Sequence, residues 1–275
     1  MPDRLLNYIF GFVLILFFVV FANTDEQTRI FIAFLLTLTV AIVALFMNWL
    51  SLDGTFAAFI IGTVTLGLGG IPAAIVLLLF FLSSYLIGTL STGRTAGNKQ
   101  MEQERRDGRQ VWANAFWFVL FISFGYYFRD DYMMMAAAGS MAVAISDTWA
   151  TEFGMRATNS KTYFILNFQH VDAGIDGGVS LKGTIGGLLG SLLLSVIYIL
   201  TAGHYSLMVF LIIGLSGFSG CILDSYLGAI FQTNKKELRF PEKLNIFGKL
   251  DNNSVNLVAT GYGAVFTLYL FWILK

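Results

Sequence analysis

The chain has 275 residues, of which 56% are hydrophobic and only 12% are charged. Its formal net charge of zero argues against a nucleic-acid binder, and its single cysteine excludes an internal disulfide framework. Apolar runs of about 20 residues, the length that crosses a bilayer, recur along nearly the whole chain. These features predict an all-α polytopic membrane protein that forms one integral membrane domain over residues 1–275.

Nine candidate transmembrane segments follow one another along the chain. The first lacks the small-residue cleavage site of a secretory signal and is therefore expected to be an anchor helix. The third and fourth meet at the turn signal Gly69-Gly70-Ile71-Pro72 and are either two full spans or a re-entrant pair. The nine segments are 5–22, 30–50, 54–69, 71–90, 111–128, 132–154, 182–202, 206–231 and 255–274.

The distribution of basic residues sets the orientation of these segments. With the N-terminus in the cytoplasm, only Arg29, Arg129 and Lys275 of the 17 Lys and Arg residues fall outside. We therefore predict a cytoplasmic N-terminus and an external C-terminus, in the plasma membrane of a prokaryote. The same topology places most acidic residues, and with them the active site, on the cytoplasmic face.

Two acidic residues lie inside apolar segments, where an ionised carboxylate requires a partner, a cavity or a cation. Asp147 stands in the run AISDTWATEFG, and Asp224 stands in GCILDSYLGAIFQ. Two such carboxylates at one cytoplasmic pocket suit a divalent cation that bridges phosphate oxygens. An ion pair with Lys182 or Arg156 and a site for a transported cation are the alternatives.

Further polar residues stand at the ends of apolar segments. Glu152 follows Asp147 by five residues, about 140° around an ideal helix, and is either a ligand-side acid or a solvated helix end. Asp251 opens the run KLDNNSVNLVAT, whose amides suit a nucleotide base or ribose and help to hold a metal. The alternative is a helix N-cap, a position that favours Asp and Asn. The amides are those of Asn252, Asn253 and Asn256.

A glycine-rich stretch at 174–190, GIDGGVSLKGTIGGLLG, leads from a polar loop into an apolar segment. Open backbone N–H groups, a helix N-terminus and Lys182 together favour an anionic ligand, most simply a phosphate chain. The alternative is a flexible turn before a packing helix, since four glycines recur on one helical face. These four are Gly183, Gly186, Gly187 and Gly190.

The loop at 94–114 is the most charged part of the chain. Its Arg105, Arg106 and Arg109 suit a substrate phosphate, and the alternative is a solvated face on anionic lipid headgroups. With only two histidines, predicted on opposite sides of the membrane, a histidine metal cluster and a Ser-His-Asp triad are both disfavoured.

The motifs SDTWATEFG, GGVSLKGTIGGLLG, the LDS of CILDSYLGA and LDNNSVN resemble those of the transmembrane-protein-nineteen family of integral membrane proteins, which includes phytyl-phosphate kinases of plants and cyanobacteria. Their order and spacing match from about Asp53 onward, which leaves 1–50 as variable N-terminal helices and 53–275 as the catalytic bundle. The resemblance implies phosphoryl transfer from CTP, or a similar nucleotide, to an isoprenoid monophosphate such as phytyl or geranylgeranyl phosphate. A homodimer is compatible with it.

On this resemblance, Asp147, Asp224 and Asp251 are expected to hold Mg²⁺ and to act in catalysis with Lys182. Glu152 and Asp176 are further candidate metal ligands. The expected nucleotide-binding residues are Gly177, Gly178, Ser180, Lys182, Thr184, Gly186, Gly187, Asn252, Asn253 and Asn256. The expected acceptor-phosphate residues are Arg105, Arg109 and Asn114, the last in a QVxAN-like site after the basic loop.

One departure from the family pattern concerns Asp176. The family usually reads G-T-N-G-G where this chain has GIDGG, so Asp176 is either a metal ligand or a residue that shifts nucleotide choice. The same motifs are distantly similar to those of CTP-dependent dolichol kinases and lipid-phosphate cytidylyltransferases. A cytidylyltransferase that makes a CDP-lipid is therefore the first alternative function, and a cation-coupled transporter is the second.

Overall fold

The computed structural model describes residues 2–91, 105–155, 161–232 and 250–274 of the chain. Within these ranges there are eight α-helices and three short β-strands, and a π-helical turn at Phe17–Phe21 extends the first helix. The helices are α1 (Pro2–Leu16), α2 (Thr24–Phe46), α3 (Leu52–Ser91), α4 (Gly108–Phe128), α5 (Asp131–Met155), α6 (Leu181–Ala202), α7 (Leu207–Phe231) and α8 (Asn252–Leu274). The strands are β1 (Thr162–Phe164), β2 (His170–Val171) and β3 (Gly178–Ser180).

The helices form a membrane bundle around α5. Of the eight, all except α5 are long and apolar enough to span a membrane when α1 is taken with its π-helical turn, which gives seven candidate spans in the described ranges. α5 packs against α3, α4, α6, α7 and α8, and every residue of Met135–Ser146 is buried. Because its neighbours shield α5 from lipid, this helix requires small side chains for close packing rather than a continuous apolar surface.

α3 is a helical hairpin rather than one straight rod. A straight helix of its 40 residues would extend about 60 Å, twice the hydrocarbon thickness. At Gly70 the backbone leaves the helical region, with φ 69° and ψ −164°, a conformation that glycine adopts without strain. The Trp49 ring, just before the first arm, lies 4.3 Å from the Tyr85 ring and 5.7 Å from the Phe81 ring on the second arm. The second arm therefore returns to the level at which the first begins.

One end of the bundle, here called the polar end, collects both ends of α3, the starts of α4, α6 and α8, and the ends of α5 and α7. Side-chain caps fix several of these termini. At the start of α4, the Asp107 carboxylate accepts from the Gln110 N–H at 2.8 Å. Asp53 joins α3 to α4, because its carboxylate accepts from the Ser51 hydroxyl at 2.5 Å and from the Gly108 N–H at 3.0 Å.

The three strands form an antiparallel sheet in the order β2-β1-β3, which covers the end of α7. Thr162 of β1 pairs with Val171 on one side and with Ser180 on the other. Phe164 and Val171 form a small buried core with Ala229 of α7. This sheet, which the sequence analysis did not predict, fixes the loop between β2 and β3 against α7.

The predicted all-α polytopic bundle is confirmed. Eight described helices stand where nine segments were predicted, because the third and fourth segments are the two arms of α3. The total of nine spans, which requires a crossing by α5 and by each arm of α3, stays a prediction. Arg109 and Lys182 lie at the polar end, whereas Arg29 and Arg129 lie at the opposite end. The cytoplasmic location of the polar end, which this charge distribution favours, also stays a prediction.

Candidate active site

A cavity of about 210 Å³ lies at the polar end, between α5, α6, α7, the start of α8 and the β2–β3 loop. Pockets that enclose drug-sized ligands measure roughly 300–1,000 Å³. The cavity therefore has room for phosphate groups and a cation rather than for a whole nucleotide. Its acidic and amide residues are Asp147, Asp176, Asp224, Gln232 and Asn252.

Three carboxylates from three separate parts of the chain face this cavity. Asp147 comes from the last third of α5, Asp224 from near the end of α7, and Asp176 from the β2–β3 loop. Asp224 is buried and experiences the negative charge of both other acids. None of the described residues that line the cavity is Lys, Arg or His. The described wall therefore has acidic groups without a basic partner, and a bound cation would supply the balancing charge.

The donor set of the cavity fits Mg²⁺ that is shared with phosphate. Within the described ranges, no three His, Cys, Asp or Glu residues lie close enough together to form a complete protein site for a metal. Mg²⁺ does not require one, since it keeps several waters and is usually bound by one or two carboxylates together with substrate phosphates. Asp147, Asp224 and the neighbouring Ser225 present such oxygen atoms to the cavity.

The amide of Asn256 positions one of these acids. Oriented with its nitrogen toward the carboxylate, it donates to Oδ2 of Asp224 at 3.0 Å and to the backbone oxygen of Asn252 at 3.2 Å. Asn252 lines the cavity, whereas Asn253 is half-buried and does not line it. Contact between these amides and a nucleotide base or ribose stays a prediction.

The β2–β3 loop reaches the cavity through close backbone packing on α7. Gly177 has φ 78°, and a Cβ at this position would lie 2.3 Å from the Cβ of Ala229. The Gly178 N–H donates to the Ile175 carbonyl at 2.8 Å and closes the turn. The loop buries part of Asp176, and this desolvation raises the pKa of the Asp176 carboxyl above its ordinary value.

Gln232 is a cavity residue that the sequence analysis did not single out. It stands at the C-cap of α7, and its buried Nε2 has no hydrogen-bond partner among the described residues. A buried donor without a partner costs free energy, and a ligand oxygen in the cavity would satisfy it. Sequence alone gives no signal for this role, because a glutamine at a predicted helix end is ordinarily solvated.

The glycine-rich stretch both lines the cavity and packs the bundle. Its lining residues are Gly177, Gly178, Ser180, Gly183 and Thr184. The Ser180 side chain caps α6 by accepting from the Gly183 N–H at 3.2 Å, which uses one of the open N–H groups of the helix start. Lys182 is exposed and does not line the cavity.

Gly186 and Gly187 lie on the buried face of α6 that packs against α5. A Cβ on Gly186 would approach the Phe153 ring to 2.7 Å, and one on Gly187 would lie 3.2 Å from the Ala150 Cβ. The Ser146 hydroxyl donates to the Gly187 carbonyl at 2.8 Å. Close helix packing, one of the two alternatives for this stretch, therefore accounts for these two glycines.

Arg109 and Asp251 form an ion pair beside the cavity. The Arg109 Nη2 lies 2.6 Å from the Asp251 Oδ2, and the two side chains are 45% and 46% exposed. Asp251 also caps α8, accepting from the Ser254 hydroxyl at 2.6 Å and the Ser254 N–H at 2.9 Å. These contacts, the Ser254 hydroxyl first, lower the pKa of Asp251. Asp251 does not line the cavity.

The other predicted polar residues lie outside the cavity wall. Arg105 is exposed. The Arg106 guanidinium lies over the Phe80 ring at 5.6 Å. Burial lowers the pKa of Arg106, and the negative charge of Glu152 partly opposes this shift. The Asn114 amide donates to the backbone oxygen of residue 110 at 2.9 Å.

Comparison with known proteins gives a family and several distant relatives. The family described as integral membrane protein DUF92 matches residues 35–264. An uncharacterised membrane protein of Methanocaldococcus jannaschii is 27% identical over 247 residues, which are 90% of this chain and 96% of that protein. The protein VTE6, chloroplastic, of Arabidopsis thaliana is 28% identical over 162 residues, 55% of this chain and 47% of that protein.

A further relative is an uncharacterised membrane protein of Synechocystis, 29% identical over 201 residues, which are 69% of this chain and 72% of that protein. No solved structure matches the chain. The matches therefore support the membrane architecture and leave the chemistry to the site itself.

Proposed function

The chain belongs to the DUF92 family of integral membrane proteins, and we propose that it transfers the γ-phosphoryl group of CTP, or a similar nucleotide, to an isoprenoid monophosphate. The observation that carries this proposal is the convergence of Asp147, Asp176 and Asp224 on a glycine-lined cavity whose described wall has no basic residue. The motif resemblance to prenyl-phosphate kinases supports the choice of substrates.

The chemistry suits a site of this kind. Phosphoryl transfer requires mainly positioning and neutralisation of charge, and it needs no strong general base when the acceptor is already an ionised phosphate. An acceptor phosphate oxygen would bond to the γ-phosphorus of CTP while the bond from that phosphorus to the β–γ bridging oxygen breaks. CDP would leave with the electron pair, and the isoprenoid diphosphate would remain.

Each part of the site would have a separate task. Mg²⁺ would be held by one or two of the carboxylates of Asp147, Asp176 and Asp224 together with the nucleotide phosphates, whose charge it would neutralise. The Gly177–Gly178 backbone and the Gln232 amide would contact phosphate oxygens inside the cavity. Lys182 and Arg109, which do not line the cavity, would contact phosphates that extend beyond it. Asn256 would hold the Asp224 carboxylate in place.

The test is transfer from CTP labelled at either its α- or its γ-phosphorus. Purified protein in detergent or liposomes is incubated with Mg²⁺, labelled CTP and geranylgeranyl monophosphate. The proposed kinase moves only the γ-label into the lipid and retains the α-label in CDP. A cytidylyltransferase moves the α-label into the lipid and releases pyrophosphate, and this result would overturn the proposal. Absence of both products across several nucleotides and acceptors would leave cation transport to be tested.

A further inference from the structure

The cavity has an apolar part in addition to its acidic part. On α7, Phe218, Cys221 and Ile222 line it together with Asp224. Phe218 precedes Asp224 by six residues, so the cavity extends about 9 Å along α7 toward the middle of the bundle. Its walls therefore change from carboxylates at the polar end to apolar side chains farther inside.

The cavity lies between α6 and α7 toward the polar end, where residues of both helices line it. In their other halves the helices touch, since the Ser195 hydroxyl donates to the Phe210 carbonyl at 2.6 Å. Gly214 lies against Leu192, whose Cδ2 would be 3.0 Å from a Cβ on this glycine. Closer to the polar end, Thr184 of α6 instead lines the cavity with residues of α7.

In the described part of the chain, lining residues of both helices reach the outer surface, so the gap between α6 and α7 opens there. Thr184 lines the cavity and is exposed, and Ile222 lines it while 46% of the side chain is exposed. The outer surface next to this opening carries exposed Ile185 and Leu188 on α6 and Tyr226 on α7. The rim of the opening is thus apolar on the side away from the acids.

We propose that the gap between α6 and α7 is a lateral portal through which an isoprenoid monophosphate enters from the bilayer and in which its hydrocarbon tail stays during the reaction. This inference rests on the proposed function. An amphiphile with a charged head and an apolar tail matches the polarity change along the cavity. A tail that remains in lipid or in an apolar groove avoids the large cost of exposing its methylene groups to water. The phosphate meanwhile reaches the acids together with the cation.

A matched pair of tryptophan variants on α7 tests the portal. Ile222→Trp fills the rim, whereas Leu215→Trp enlarges a 56% exposed side chain seven residues earlier on nearly the same face, outside the cavity wall. We expect Ile222→Trp to raise the KM for geranylgeranyl monophosphate about tenfold and to leave the KM for a five-carbon prenyl monophosphate and for CTP unchanged. Leu215→Trp is expected to change none of the three values. An equal loss with both acceptors, or an equal effect of both variants, would overturn the portal.

A binding measurement separates this inference from the proposed function. The full-length protein carrying photoreactive benzoylphenylalanine in place of Ile222 is irradiated with radiolabelled geranylgeranyl monophosphate, with the same substitution of Leu215 as control. The portal predicts a labelled adduct at position 222 that excess unlabelled prenyl phosphate removes and that is absent at position 215. If the protein forms this adduct but transfers no label from CTP, the portal hypothesis stands and the proposed kinase function is refuted. Adducts only with bulk phospholipid or with a second copy of the chain would refute the portal.

Discussion

The two ends of the bundle differ in the partners that surround their acidic side chains. At the end away from the cavity, the Tyr126 hydroxyl donates to Glu26, and the Arg29 Nη2 donates to the same hydroxyl at 3.0 Å. The Arg29 guanidinium also lies 5.2 Å from the centre of the Tyr126 ring. Glu26 additionally accepts from the Asn23 N–H at 2.9 Å, as part of a capping box that starts α2.

At the polar end, three acids face one cavity with no Lys, Arg or His in its described wall. The opposite end is electrostatically balanced by its own neighbours, and this is what a purely structural cluster requires. The described cavity wall contains no basic neighbour, and a bound cation would supply the missing charge. From this difference we predict that the acids of the cavity serve a ligand, whereas those at the other end serve the fold.

The largest effect is expected from Asp224→Asn. This variant removes one carboxylate from the cavity while nearly preserving its shape, and we expect activity with CTP to fall by about 10²–10³-fold, the usual cost of losing one electrostatic contact at a transition state. Thermal stability should stay the same or rise, because a buried like charge is removed. Release of CDP and the unfolding temperature are measured together.

The matched control for Asp224→Asn is Glu26→Gln at the opposite end. Its unfolding temperature should fall while CDP release stays at the wild-type level. If instead Glu26→Gln abolished activity, or if Asp224→Asn unfolded the protein without a specific loss of turnover, the contrast between the two ends would be wrong.

A second, smaller effect is expected from the loop that carries Asp176. In Gly177→Ala, the new methyl group would lie 2.3 Å from the Cβ of Ala229, so the loop must move away from α7. We expect an activity loss of about tenfold to a hundredfold from displaced site residues. Gly174→Ala is the control, because Gly174 also has a positive φ, 90°, but has no atom within 4 Å of an added Cβ. Equal losses in both variants would assign the effect to backbone strain alone.

The helices and the acidic pocket could be predicted from the sequence because each depends on local signals. Apolar runs predict the spans, and the turn signal around Gly70 predicts the break that divides α3. Asp147 and Asp224 stood out because carboxylates in apolar runs require a reason, and both do line one cavity. Asp176, where this chain departs from the family motif, also lines the cavity, and its role as a metal ligand stays a prediction.

The remaining features depend on contacts between distant parts of the chain. The sheet β1–β3 consists of strands of two or three residues, which are too short for a periodic pattern. The packing of Gly186 on Phe153 and the pairing of Arg109 with Asp251 follow from which helices are neighbours. The buried amide of Gln232 became visible only once the end of α7 was placed beside the β2–β3 loop.

A pH measurement sharpens the view that the cavity accepts a cation. Because burial raises the pKa of Asp176, a proton competes with Mg²⁺ at a higher pH than it would at an ordinary carboxyl. The Mg²⁺ concentration for half-maximal activity should therefore rise as the pH falls through this raised pKa, by at most about tenfold per pH unit for one displaced proton. Asp176→Asn should flatten this dependence. A Mg²⁺ requirement with the same pH dependence in both proteins would exclude Asp176 as a ligand.

The smallest effect on stability is expected at the pair between Arg109 and Asp251, which resembles the balanced cluster of the opposite end although it lies beside the cavity. Both side chains are nearly half exposed, so Arg109→Gln should lower the free energy of unfolding by less than about 1 kcal/mol. The pKa of Asp251 is lowered, so the stability that this carboxylate contributes is present at neutral pH and is lost as the pH falls through that pKa. The difference between wild type and Arg109→Gln should vanish in the same acidic window.

Kinetics decide whether Arg109 also belongs to the site. If this guanidinium contacts the acceptor phosphate, Arg109→Gln raises the KM for the isoprenoid phosphate while the KM for CTP stays unchanged, and Arg109→Lys restores part of the affinity because it retains the charge. Removing the other partner of the same carboxylate by Ser254→Ala should then affect stability without affecting either KM. An unchanged acceptor KM in Arg109→Gln would make this ion pair a structural tie like Arg29 with Tyr126. Asp251 would then belong to the structural contacts, whereas its neighbour Asn252 would belong to the cavity wall.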